Sequence, residues 1–307
     1  MNPFHDYYGI EWYLILLAWS AIALGSHFYQ VGFVVRLIRL GKDDDRFNSW
    51  KQRLTEFLRD WLGQRKVVQD KVAGYAHALI FWGFLLLISD IVDLGTGGLL
   101  QAFLSNIQLD GIWNLIVDLG YAMATVGILI ALYRRIIIRP AQLKGASIEG
   151  PLILLAILGI VLTAFIVEAG NMIGEETEYN PWEPIGVLFA KQMDGMDHAT
   201  IASMVDISYW IHMILIGGFL IEIPQTKHSH IIGTIPNVMF QDHNPMGTMI
   251  PLQTNENNEA VKTDDLDFDN LTLGVNKFAD FTWRQLSDGW ACTECARCQD
   301  VLFPPSF

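Results

Sequence analysis

Residues 206–240, DISYWIHMILIGGFLIEIPQTKHSHIIGTIPNVMF, decide how the chain is read. The stretch is apolar over a helix's length, carries His212 near its middle and ends in Pro224, Lys227, His228 and His230. A neutral imidazole in hydrocarbon is costly to leave unpaired, so it ligates a metal, bonds a partner helix or faces a wet cavity. Haem iron is the commonest reason for two such histidines in a bundle of apolar helices, because one imidazole from each of two facing helices fills the two axial positions. The interval from His212 to His230 is about five turns, roughly 27 Å if the helix runs on. That is too long for one haem. It suits two haems stacked across a membrane, or one haem and a histidine with another task.

Working outward, the composition fits a membrane protein: 307 residues, 51% hydrophobic, with a positive mean hydropathy. The net charge of −13 argues against nucleic acid as a partner. Apolar runs at 12–38, 72–91, 113–133, 151–167 and 204–223 are each long enough to cross a bilayer or its hydrocarbon core. Basic residues cluster after the first run (Arg36, Arg39, Lys42 and on to Lys71) and after the third (Arg134, Arg135, Arg139), whereas the other two loops hold only Lys191. Positively charged loops stay in the cytoplasm, so the expected topology is five helices with the N-terminus outside and the C-terminus inside, in the cell's inner membrane. MNPFHDYYGIEW lacks a basic leader, so the first apolar run is read as a retained span. Within the first basic loop, Trp50, Leu54, Phe57, Leu58 and Trp61 recur at helical spacing. That helix is read either as lying on the membrane surface or as packed on the tail.

The expected organisation is a membrane domain at 1–240, an acidic linker at 241–280 and the start of a second domain at 281–307. With that topology His77, on the second span, and His230, after the fifth, lie at matched depth near the cytoplasmic side and form the first candidate pair for a bis-imidazole haem. His212 lies deeper, and the facing position on the second span, ten residues after His77, is Leu87. His27 on the first span is then the candidate partner for His212, with a quinone-binding role or a structural hydrogen bond as the alternative for either. His5, His198 and His243 read as surface. Asp90, Asp93, Asp118 and Glu168, near the outer ends of spans, are candidate proton carriers or simply hydrated carboxylates. The three cysteines, Cys292, Cys295 and Cys298, sit in CTECARC. Thiolates at this spacing wrap one corner of a [4Fe–4S] cube, and the fourth cysteine of that pattern is missing; a three-cysteine zinc site is the alternative. The sequence is read as stopping inside a larger iron–sulfur domain.

The segments GYAHALIFWGF, IHMILIGGFLIEIPQTKHSHIIGTIPNVMF and DFTWRQLSDGWACTECARCQDV resemble membrane-bound iron–sulfur oxidoreductases that join a cytochrome b domain to a heterodisulfide-reductase-like domain. The membrane half also resembles the gamma subunit of respiratory nitrate reductase. That resemblance implies two haems held by two histidines on the second helix and two on the fifth: His77, His212 and His230 match three of them and Leu87 stands at the fourth. It implies electron transfer between a cytoplasmic donor, electron-transfer flavoprotein being one such donor, and menaquinone or another quinone. The rival expectation is a structural or anchoring subunit of a larger membrane assembly.

Overall fold

The computed structural model describes residues 10–95, 99–140, 148–174, 179–244, 248, 262, 265 and 277–293. Among them the chain is helical, with no strand beyond one isolated bridge between Lys42 and Thr282. The helices are α1 (Ile10–Ile38), α2 (Trp50–Glu56), α3 (Lys71–Gly95), α4 (Leu99–Asn106), α5 (Asp110–Tyr133), α6 (Glu149–Gly174), α7 (Pro184–Met193), α8 (His198–Glu222), α9 (His230–Met239) and α10 (Trp283–Ala291). Five segments are long and apolar enough to cross a membrane: Trp12–Ile38, Lys71–Ile88, Asp110–Ile138, Glu149–Ile173 and His198–Gln225. They coincide with the five apolar runs of the sequence. Side chains such as Leu17, Ile22, Val126 and Ile214 are exposed along them, an apolar surface that lipid covers without the cost water would impose.

The described residues divide into two compact units, the first drawn from residues 10–27 and 64–223 and the second from 28–63 and 224–293. This partition differs from the linear one read from the sequence, because the basic loop after the first span folds with the segments that follow the fifth. The expected linker at 241–280 lies almost entirely outside the described residues.

In the first unit α3 packs along α5 and α6 packs along both α5 and α8. Small residues bring α3 and α5 together: a Cβ on Gly83 would lie 2.6 Å from the Gly120 carbonyl oxygen, and one on Gly127 2.6 Å from that of Ala76. Close backbone approach of this kind drives association where water supplies no hydrophobic force. The core between these helices is Leu87, Ala124, Val161 and Phe165, with Phe189 of α7 stacked on Phe165. Parallel to α8 runs the N-terminal part of α1, with Trp12 against Trp210 and Trp19 donating to the Met213 carbonyl at 2.9 Å.

Two helix ends of this unit show how the sequence sets boundaries. Asp197 caps α8, accepting from the Thr200 amide at 2.9 Å. At the other end Pro224, which lacks an N–H, ends the helix; residues Ile223–Gln225 and Lys227–Ser229 tighten into 3-10 turns before α9 begins at His230. The continuous helix assumed in the 27 Å estimate is therefore interrupted, and His212 and His230 belong to different helices and different units.

In the second unit α2 continues as a π-helical run, Phe57–Leu62; both pack with α9, which in turn packs with α10. Arg53, only 2% exposed, is enclosed by acceptors: Nε donates to the Asn48 carbonyl at 2.7 Å, Nη1 to those of Met239 and Gln241, and Nη2 to the Asn48 side chain. Phe47, Trp50, Phe240 and Trp283 form an aromatic cluster with ring centroids 5.2 to 6.5 Å apart. His243, expected on the surface, instead bonds Glu56 at 2.8 Å. One face of the α2 region packs on the segment 237–243, the second of the two readings, while Trp50, Leu54 and Leu58 remain exposed.

Candidate functional site

Each candidate histidine is fixed by a local cause. His230 opens α9, and its Nδ1–H donates to the Lys227 carbonyl at 2.6 Å, which makes Nε2 the basic nitrogen. Burial holds its pKa below the ordinary histidine range, with nearby His228 adding to that effect and the carbonyl bond opposing it. A neutral imidazole with Nδ1 anchored on a backbone carbonyl is the form a metal ion accepts. His77 is half-buried in α3 of the first unit, in the register next to Ala76 where α3 meets α5.

His27 has a different duty. Its Nδ1–H donates to the Leu220 carbonyl at 2.8 Å. Leu220 lies four residues before Pro224, so its carbonyl is the one that the missing proline N–H leaves unsatisfied in the helix ladder. His27 supplies the donor that proline cannot.

The packing does not bring His27 and His212, the expected pair, to one level. His27 sits at the level of Leu220, whereas His212 is about two turns, roughly 12 Å, further along α8. Its ring turns to α6, with Nδ1 2.9 Å from the Ile160 carbonyl and 2.9 Å from Thr163 Oγ1. Two axial nitrogens of one iron need a separation of roughly 4 Å, twice a typical metal–nitrogen bond. Leu87, at the position facing His212 in the two-haem pattern, is 8% exposed and closes the apolar core with Val161 and Phe165, so that level is filled by side chains.

What His212 does face is a cavity of about 380 Å³ in the first unit, framed by α5, α6 and α8. Its walls include Trp113, Tyr121 and Tyr209, and its polar groups include Asn114, Glu168 and Glu183. Glu183 hydrogen-bonds with Glu168, Asn180 and Asn114. Burial raises its pKa above the usual carboxylate value and the charge of Asp118 adds to this, against those three bonds. Asp118 is not hydrated: it is 1% exposed and accepts from the Ile185 and Gly186 amides at 2.8 and 3.0 Å, capping α7 from another helix. Sequence reasoning named Asp118 and Glu168 separately and missed Glu183, whose position in an acidic loop gave no sign of burial. The side chains of Asp90 and Asp93 lie outside the described residues.

Cys292 follows α10 and is exposed. Cys295 and Cys298 lie outside the described residues, so the thiol set is defined by sequence alone. The approach to it is well defined: Thr282 and Gln285 form a capping box that starts α10, and Ser229 Oγ donates to the Trp290 carbonyl at 2.9 Å. Gly233 allows the contact, since a Cβ there would lie 3.1 Å from the Ala291 Cα. The segment that opens the cysteine motif is thus seated on the turn that carries His228 and His230.

No protein family model matches the chain, and no solved structure matches it significantly. Among curated proteins it is 29% identical over 294 residues to the probable iron-sulfur-binding oxidoreductase FadF of Bacillus subtilis, covering 94% of this chain and 39% of that protein. It is 25% identical over 264 residues to the EtfAB:quinone oxidoreductase of Syntrophomonas wolfei, covering 81% of this chain and 34% of that protein. The chain therefore spans less than two fifths of the length of these relatives. Its similarity is to two oxidoreductases, one named for iron–sulfur binding and the other for a quinone.

Proposed function

We propose that this chain is the membrane module of an iron–sulfur oxidoreductase that carries electrons between a cytoplasmic donor, electron-transfer flavoprotein in the first instance, and membrane quinone. The observation that carries this reading is the seating of α10 on the His228–His230 turn through Ser229, within one unit. Trp290 is two residues from Cys292, a chain reach of about 7 Å. The first thiol of the cysteine motif is thereby tied close to a buried imidazole, which is what one-electron transfer between two carriers needs.

In this reading His77 and His230 hold one b-type haem near the cytoplasmic side, and Cys292, Cys295 and Cys298 supply thiolates to a [4Fe–4S] cluster. The haem provides a one-electron carrier within the low-dielectric bilayer. The protein's part is to keep His230 neutral and oriented through Lys227, to exclude water, and to fix the cysteine segment against α9. His27 is given no iron in this reading, because it lies about two turns from the level of His212; its Nδ1–H donates to the Leu220 carbonyl. The basic loops face the cytoplasm, the cysteine segment lies on that side, and the chain is a multi-pass protein of the cytoplasmic membrane.

The test is haem and iron per polypeptide on the purified full chain, with a dithionite-reduced difference spectrum. A reduced b-type band is expected in the wild type, lost in His77→Ala and in His230→Ala and kept in His27→Ala. A haem-free wild type, or full haem in both of the first two variants, would overturn the redox assignment and leave a membrane-anchoring subunit.

A further inference from the structure

The cavity at His212 is not used by the haem and cluster sites, and its lining is specific enough to say what fits it. Aromatic rings of Trp113 and Tyr121 on α5 and Tyr209 on α8 give it flat apolar walls. Polar groups stand at its two ends. His212 marks the inner end, in contact with Thr163. Glu168 is five residues, about 7 Å, further out along α6, and there it meets Glu183 and Asn114.

Several ligand classes are disfavoured. Glu168, Glu183 and the Asp118 carboxyl behind them repel a phosphate or carboxylate. Among the described residues no three His, Cys, Asp or Glu side chains converge as a metal site. The volume of about 380 Å³ is at the small end of ligand pockets, suited to one or two fused rings. His212 adds a sharper constraint. Because its Nδ1 proton is committed to the Ile160 carbonyl, its Nε2 can only accept, so the ligand atom beside it must carry a hydrogen. At the other end Glu168 and Glu183 hold one proton between them in their mutual hydrogen bond, and their remaining oxygens accept. A flat ring with hydroxyls at opposite edges satisfies both ends, whereas the same ring with two carbonyl oxygens leaves His212 facing another acceptor.

We propose that this cavity is the quinone headgroup site of the module and that it binds the hydroquinone form in preference to the quinone, with His212 accepting from one hydroxyl and the Glu168–Glu183 pair receiving the other. The proposal rests on the quinone-linked reading above and adds the site and the preferred redox form. The groups that face Glu183, and so set its response to pH, are Glu168 from α6, Asp118 and Asn114 from α5, and Asn180 from the preceding loop.

The experiment is photolabelling of the full chain in lipid nanodiscs with 2-azido-3-methyl-1,4-naphthoquinone, followed by peptide mapping, with 2,3-dimethyl-1,4-naphthoquinone or its dithionite-reduced quinol as competitor. Label is expected in peptides covering 113–121, 164–171 and 209–213, with the quinol protecting at a concentration at least tenfold lower than the quinone. Ala164→Phe, which fills the cavity, is expected to cut labelling tenfold or more. His212→Gln, whose amide can also donate to a carbonyl, is expected to erase the preference for the quinol. Label mapping elsewhere, equal protection by both forms in the wild type, or undiminished labelling in Ala164→Phe would overturn the proposal. A chain that shows the haem band and lacks label in these peptides refutes this site alone; one that is labelled here and binds no haem refutes the redox reading instead.

Discussion

Asp118→Asn tests how a carboxylate in mid-chain holds the first turn of α7. Pro184 begins α7, and the N–H groups of Ile185 and Gly186 point out of its first turn with no partner of their own. Glu183, at the capping position, makes no side-chain cap; Asp118 does that work from α5, 67 residues away in the chain. Hydrogen bonds to a charged group contribute about 1.5–3 kcal/mol each, and losing a cap costs about 0.5–2 kcal/mol. Asparagine keeps one acceptor and turns its amide donors toward the other N–H, so one bond is lost and a donor meets a donor. Relief from burying a charge offsets part of that loss. The net is about 2 kcal/mol against α7, or roughly 30-fold faster amide exchange across Pro184–Met193 if the helix opens locally. Hydrogen exchange by mass spectrometry in nanodiscs reads this directly, with the 12–27 peptide of α1 as the unchanged reference. The effect should reach the cavity, because Gly186 lies against Glu168, with a Cβ there only 3.0 Å from the Glu168 carboxyl carbon. Exchange of the α7 amides within threefold of wild type would refute the assignment of Asp118 as the cap.

Glu183 should give the fold a pH dependence of its own. Its native pKa lies above the ordinary 4.5, so from that value upward the native state holds the proton more tightly than the unfolded chain, and stability falls as pH rises until the native group ionises. Melting temperatures between pH 4.5 and 7 should fall less steeply in Glu183→Gln; identical slopes would remove Glu183 as the cause. Arg53→Lys keeps the charge but cannot present a planar fork to the carbonyls of Asn48, Met239 and Gln241. A loss of about 2–4 kcal/mol is expected, seen as faster proteolysis around residues 239–244, and resistance equal to wild type would show that those bonds contribute little. Leu87→Ala should cost about 2–5 kcal/mol by opening a hole beside Val161 and Phe165 while leaving haem content unchanged. Loss of haem with retained stability would place Leu87 at a cofactor and contradict the filled core.

The five spans could be read from sequence because lipid imposes a local rule: a segment must hide its own backbone and present about 20 apolar residues, whatever its neighbours are. Pro224 likewise announced the end of the fifth span, since a missing N–H is a property of one residue. The cysteine spacing of 292–298 was also visible as a pattern along a line. What the line could not show is where a polar group spends its hydrogen bonds. Nothing along the line showed that the Nδ1 of His27 bonds the Leu220 carbonyl that Pro224 leaves bare. Asp118 looked like a hydrated carboxylate until α7 folded its first turn onto it, and Glu183 looked like one more charge in an acidic loop. Burial in the membrane makes each such group satisfy itself locally or find a partner far away in sequence, and only the packing of α5, α6, α7 and α8 determines which partner is within reach.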